Sequence, residues 1–152
     1  MTKAIELIKE FEELHLEAYL CPAGVWTIGW GHTKGVKQGM KIMESEAEKL
    51  LEQDMLEAAK VLEEVVCRLS IDQYNALVSF VFNIGVAAYR KSTLRKMVLA
   101  NPENPKIADE MKKWVYATNP KTKKKEVLPG LVRRREREAE LYFTSYAPQK
   151  KI

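Results

Sequence analysis

Ala18-Tyr19-Leu20-Cys21-Pro22-Ala23-Gly24-Val25-Trp26-Thr27-Ile28-Gly29-Trp30-Gly31-His32-Thr33 is the stretch on which the fold turns. Tyr19, Val25, Trp26, Thr27, Ile28 and Trp30 are β-formers, and Pro22-Ala23-Gly24 reads as the turn between two short strands. Between Glu17 and Gly39 lie five of the seven glycines in the protein. No other part of the chain reads as β-structure. Upstream, Ile5, Ile8 and Phe11 follow helical spacing behind Thr2, which predicts a short helix over about residues 3–12. Downstream, Ala47, Leu50, Leu51, Ala58, Val61, Leu62 and Val65 form one apolar stripe, which predicts a long helix from Glu44 to Val66 with no capping residue at Met43. Ser70-Ile-Asp-Gln73 is a capping box opening an apolar helix that ends near Gly85. Ser92 caps a shorter helix. Asn104-Pro105 starts another that runs through Trp114. Thr118 to Leu128 reads as a lysine-rich loop, and Pro129-Gly130 opens the last helix, with Arg133, Arg134, Arg135 and Arg137.

The expected architecture is α+β: a small β-hairpin lobe at about 13–43, a connecting helix at about 44–67, and a helical lobe at about 68–152 packed with helix 3–12. Two lobes joined by one helix leave room for a cleft. A chain of 152 residues matches one domain of about 150 residues and is long enough to bury a core without disulfides. Two cysteines, Cys21 and Cys67, make no disulfide framework, and with only His15 and His32 beside them a four-ligand zinc site is not expected, nor any other metal or cofactor. Cys67 is expected to be buried and inert. The acidic N-terminus lacks the apolar run of a signal peptide. The longest charge-free run, Gln73 to Tyr89, is too polar and short for a membrane span. The net charge of +4 is a small remainder. It lies between an acidic helix holding Glu44, Glu46, Glu48, Glu52, Asp54, Glu57, Glu63 and Glu64 and a basic segment holding Lys121, Lys123, Lys124, Lys125 and the C-terminal arginines. Such polarity suits an anionic partner.

Glu12 ends the first helix, Cys21 follows nine residues on, and Thr27 six further. If the strands pair, all three approach one point. A carboxylic acid facing a second reactive group is the minimal equipment for cleaving a glycosidic bond. Spacing alone leaves the ordinary readings open: a solvated Glu at a helix end, a Cys packed in a strand.

Phe11-Glu12 with Ala18 to Thr33, then Gln73-Tyr-Asn-Ala-Leu-Val-Ser-Phe-Val-Phe-Asn-Ile-Gly85, then Leu128-Pro-Gly-Leu-Val-Arg-Arg-Arg135, closely resemble the phage lysozyme (endolysin) family, glycoside hydrolase family 24. The family pattern is Glu, eight residues, Asp or Cys, five residues, Thr. Glu12, Cys21 and Thr27 fit it without a gap. Glu13 stands where the family usually has Gly.

The resemblance implies a lysozyme-like fold and muramidase activity on the β-1,4 bond between N-acetylmuramic acid and N-acetylglucosamine of peptidoglycan. It makes Glu12 the general acid, paired with one of Arg133, Arg134 or Arg135. It makes Cys21 the second group, a thiol where many relatives carry a carboxylate, and Thr27 the group that orients water or substrate. Gly31, Thr33, Phe82, Asn83 and Ser92 are the implied substrate contacts. His32 and Asp54 are the implied structural ion pair. Implied too are a monomer with no organic cofactor or metal and no stable membrane insertion, and accumulation in the host cytoplasm until a holin-type pore releases it to the wall. The basic C-terminal end would favour anionic wall polymers or lipopolysaccharide. The competing reading is a basic helical protein that binds nucleic acid or cell wall without hydrolysing it. Charge alone supports nucleic acid, so none is expected as a partner.

Overall fold

The computed structural model describes residues 1–144; the last residues of the helical lobe expected to reach 152 lie outside the described residues. The elements run α1 (Thr2–Phe11), β1 (His15–Leu20), β2 (Trp26–Gly29), α2 (Glu44–Lys60), a 3-10 turn (Val66–Arg68), α3 (Ile71–Ile84), α4 (Val86–Lys91), α5 (Thr93–Ala100), α6 (Lys106–Met111), β3 (Tyr116–Thr118), β4 (Lys125–Val127) and α7 (Pro129–Phe143). The mixed, mainly helical class is as expected.

β1 and β2 pair antiparallel, with Tyr19 opposite Thr27 and Leu20 opposite Trp26. The connection is closed by Cys21 N–H donating to Val25 O and Gly24 N–H to Cys21 O. The register slips between His15 and Tyr19, and Met40 and Ile42 bond to the other edge of β1. Ile28 and His32 exchange two backbone hydrogen bonds across Gly29-Trp30-Gly31. That tight reversal holds Gly29 and Gly31 at φ of 66° and 77°, a region that side chains disfavour.

α3 is the axis of the helical lobe. Its capping box is formed as expected: Ser70 Oγ accepts from Gln73 N–H, and Gln73 Oε1 accepts from Ser70 N–H. Ala76, Leu77, Val78, Phe80 and Val81 are buried along it. α1 and α7 pack on α3 and on each other, which carries the N-terminal helix into the C-terminal lobe. Asn75 Oδ1 accepts from Ala4 N–H, satisfying a donor that a helix start otherwise leaves open. Lys9 links three elements: its ammonium pairs with Glu48 on α2 at 2.6 Å and lies 4.3 Å from the centre of the Trp30 ring.

Four expectations are corrected. α2 stops at Lys60 instead of running to Val66. Leu62, Glu63 and Val65 then bond to the carbonyls of Ala59, Lys60 and Leu62, tighter than α-helical spacing. Through these turns Val61, Leu62 and Val65 all reach the core, so the apolar stripe was real but its last part is not helix. The helix after Asn104-Pro105 begins at Lys106 and ends at Met111, short of Trp114. The lysine-rich segment is not a bare loop. β3 and β4 form a second hairpin, closed by Asn119, whose Oδ1 accepts from the N–H groups of Lys121 and Thr122. Its residues are nearly all exposed, so no alternation of apolar and polar residues marks it. Cys67 is exposed, because it sits in the 3-10 turn, none of whose residues is buried.

Candidate active site

Glu12 is the residue at which α1 gives way to extended chain, with φ −100° and ψ 123°. Its carboxylate projects toward α7 and meets Arg134, Nη1 to Oε2 2.9 Å. Of the three arginines left open by the sequence, Arg134 is the partner. Its side chain is almost wholly buried, while that of Glu12 keeps about a quarter of its exposure. Behind it, Arg134 Nε lies 3.2 Å from Glu138 Oε2, and Ser79 Oγ donates to the same oxygen at 2.6 Å. Arg134 Nη2 also reaches Ser79 O at 3.4 Å.

On its other side the Glu12 carboxylate occupies the space where a side chain at residue 31 would begin. A Cβ at residue 31 would lie 2.8 Å from Glu12 Oε1. Gly31 therefore has two reasons to be glycine: a positive φ and the approach of the acid. Gly31→Ala is expected to keep the fold but push the carboxylate aside. A misplacement of about 1 Å costs about a hundredfold in rate, readable as reducing-end release from the folded variant at a temperature below its unfolding. An unchanged rate would mean that Glu12 tolerates movement.

Cys21 and Thr27 flank the turn of the first hairpin. Thr27 is buried, and its single hydroxyl proton can go to Val25 O, 2.9 Å away, or turn to the Cys21 sulfur. Burial pushes the Cys21 thiol up. Hydrogen bonding from the backbone at Val25, from Ala23, from the Thr27 hydroxyl and from Gly24 outweighs it and holds the thiol below its ordinary range. The thiolate is the reactive form. Alkylation of Cys21 in the folded protein should therefore reach half its maximal rate at a pH below that of a free thiol, and Thr27→Val should move that midpoint upward. Tyr19 lies next to both groups: burial raises its hydroxyl first, and the negative charges of Glu12, Cys21 and Glu13 add to it. Glu13 itself points to solvent, with a side chain 88% exposed.

A cavity of about 200 Å³ opens beside this site, lined by Gly31, His32 and Thr33 from the first hairpin lobe, Asp54 from α2, and Phe82 and Gly85 at the end of α3. It brings Gly31, Thr33 and Phe82 together, and Gly31 joins it to Glu12. His32 Nδ1 is 2.8 Å from Asp54 Oδ2 and its Nε2 is 2.9 Å from Lys34 O. Nδ1 thus ties the lobe to α2, while Nε2 braces the lobe internally. Burial raises the Asp54 carboxyl above its ordinary value, although His32 opposes it. Asn83 and Ser92 do not line this cavity. Asn83 Oδ1 accepts from Arg135. Ser92 caps α5, its Oγ accepting from Arg95 N–H at 3.0 Å and donating to Tyr89 O at 2.6 Å. It borders a larger cavity of about 650 Å³ with Trp114, Tyr116, Lys91, Lys113 and Lys125. Trp114 is half-buried against the core, edge-on to Phe80.

Ser79 and Glu138 are the site residues that the sequence reading missed. Glu138 falls four residues after Arg134, a spacing that reads as an exposed helical ion pair; here both are buried. Among the described residues no group of three His, Cys, Asp or Glu gathers as metal ligands, and no helix is long and apolar enough to cross a membrane.

The geometry has relatives. The phage lysozyme family model matches residues 9–138. An endolysin of Acyrthosiphon pisum secondary endosymbiont phage 1 is 38% identical over 92% of this chain and 94% of its own length. Among solved structures, the muramidase domain of SpmX from Asticaccaulis excentricus superposes with a TM-score of 0.79 at 34% identity, covering 93% of this chain and 95% of that one. The endolysin from Escherichia coli O157:H7 phage FAHEc1 does so with 0.83 at 35%, covering 97% and 95%. The family match spans both the Glu12 end of α1 and the α7 arginine that meets it, and on that ground this chain belongs to the phage lysozyme family.

Proposed function

We propose that the protein is an endolysin that hydrolyses the β-1,4 bond between N-acetylmuramic acid and N-acetylglucosamine in bacterial peptidoglycan, lysing the host cell. The observation that carries this is the Glu12 carboxylate, held by Arg134 and lying close to Gly31, which also lines the inter-lobe cavity. In this reading Glu12 protonates the glycosidic oxygen as the bond to the anomeric carbon breaks. Cys21, whose thiol sits below its ordinary range, attacks that carbon as thiolate. Water then displaces the sulfur with Glu12 acting as base, so the configuration is retained. Thr27 steadies the Cys21 sulfur and the incoming water. Gly31, Thr33 and Phe82 line the sugar site, while Asn83, held by Arg135, and Ser92, at the separate larger cavity, would meet more distant parts of the glycan strand. His32 and Asp54 hold the lobe.

Digestion of purified peptidoglycan tests the activity. New reducing ends on N-acetylmuramic acid are the expected result; reducing ends on N-acetylglucosamine, or wall binding without new ends, would sink it. NMR of the first-formed anomer tests the thiolate step, and an inverted first product excludes it.

The lysines around the 650 Å³ cavity and on the second hairpin support contact with anionic wall polymers or lipopolysaccharide, weakening with salt. α1 commits Ala4, Leu7 and Ile8 to the core, which supports its role as part of the folded helical lobe; a monomer released from the host cytoplasm through a holin-type pore completes the reading. One lysozyme-like unit over 1–152 accommodates all of these roles.

A further inference from the structure

The α7 segment Arg134-Arg135-Glu-Arg-Glu138 places two cations and one anion in the protein interior. Glu138 is fully buried, Arg135 fully and Arg134 nearly so. An ionised carboxylate in that position costs several kcal/mol to desolvate unless it is paired. Glu138 is paired on both sides. Oε2 meets Arg134 Nε at 3.2 Å and Ser79 Oγ at 2.6 Å. Oε1 lies 3.1 Å from Arg135 Nη1, without the alignment of a hydrogen bond. Each arginine then hands on to a different residue of the site, Arg134 to the Glu12 carboxylate and Arg135 to the Asn83 amide oxygen. Arg135 also lies over the Phe80 ring at 4.9 Å.

We propose that Glu138 is a positioning residue for catalysis: the buried carboxylate that anchors both arginines and, by sharing the charge of Arg134, limits how strongly that cation attracts the Glu12 carboxylate. An arginine held only by Glu12 would concentrate its whole attraction on that one carboxylate. A second carboxylate on the far side of the same guanidinium divides that attraction. The charged groups that surround the chain of contacts are few. From α1, Glu10 is taken up by Arg137 at 2.5 Å on the surface. From the first hairpin, Tyr19 feels the charges of both Glu12 and Cys21, and Glu13 is in solvent. α3 contributes only the uncharged Ser79 and Asn83. Burial holds the Glu138 carboxyl up and Arg135 down to about 10, each opposed by the other's charge, as expected for groups whose ionisation depends on mutual pairing.

This inference rests on Glu12 being the general acid, and its test separates the two. Glu138→Gln keeps the side-chain shape and an acceptor for Ser79 but removes the charge. The expected result is a fall of about tenfold in kcat at neutral pH with KM little changed, and movement of the alkaline limb of the pH–rate profile by about one unit to lower pH. Glu138→Asp, which restores the charge, should return the limb toward its original place. A merely structural role would lower stability and leave the limb where it was, and that outcome overturns the proposal. If Glu138→Gln does not fold, Arg135→Met serves instead. It frees Glu138 for Arg134 alone and should move the limb to higher pH; an unmoved or lowered limb overturns the proposal equally. Activity retained in Glu12→Gln would overturn the reading of Glu12 itself, whatever Glu138 does.

Discussion

Glu12→Gln is expected to slow release of reducing ends from peptidoglycan by about a thousandfold, the middle of the range for loss of a general acid. The amide has nearly the shape of the carboxylic acid and can still accept from Arg134 through its oxygen, so its place beside Gly31 is kept. It has no proton to give to the departing sugar oxygen. Stability should change little. Arg134 retains Glu138 and Ser79 behind it, so no buried cation is left alone, and Glu12 is itself partly exposed. Thermal unfolding and product release measured on the same preparation check both halves. A rate within about tenfold of wild type would show that the proton comes from elsewhere, since a group that contributes general acid catalysis is worth more than that.

Arg134→Met is expected to have the largest effect on stability of any single change at the site, a loss of about 3–5 kcal/mol. The reason lies in what is left behind. Glu138 is buried and two of its contacts face Arg134 and the Ser79 hydroxyl. Methionine fills most of the volume of the arginine stem but offers no charge. Glu138 would then depend on Arg135, whose nearest nitrogen is close but poorly aligned. Activity should fall as well, because Glu12 loses the group that fixes its direction. Denaturant unfolding gives the stability difference directly. A loss below about 1 kcal/mol, the size of an exposed ion pair, would mean that Arg135 alone satisfies Glu138 or that Glu138 takes up a proton in the variant.

How far the sequence can be read depends on the kind of signal each residue gives. Ser70 and Gln73 announce the start of α3 because the capping box is a local arrangement, complete within four residues. The first hairpin is legible because its glycines and β-formers contrast with the helical periodicity around them. The second hairpin is not. β3 and β4 are three residues each, and their side chains face water, so hydrophobic alternation has nothing to report. The end of α2 was misplaced for a related reason. Val61, Leu62 and Val65 are apolar because they are buried, and burial can be reached through tight turns as well as through helix. Cys67 was misread by extending the same helix: once the chain turns, its face is no longer the one that periodicity assigns.

Glu12, Cys21 and Thr27 form a pattern in one short segment, so the resemblance finds them together. Arg134 was narrowed to three neighbours but not chosen, because adjacent helical residues point about 100° apart and only the packing of α7 on α1 and α3 decides which one meets Glu12. The same packing separates Asn83 and Ser92 from the cavity that Phe82 lines, although all three lie close in sequence.

By itself the sequence determined the mixed fold class, the glycine-bearing hairpin, the capped helices and the family resemblance that points to Glu12. These rest on contacts within a few residues or on motifs carried whole in one segment. Tertiary structure alone decided that Arg134 is the partner of Glu12, that Gly31 lies against the acid, and that Glu138 and Ser79 support the arginine from behind. Those contacts join residues up to 122 positions apart, and their strength comes from burial. The exclusion of water that makes an ion pair costly to break is a property of the packed interior, and no local stretch of chain carries it.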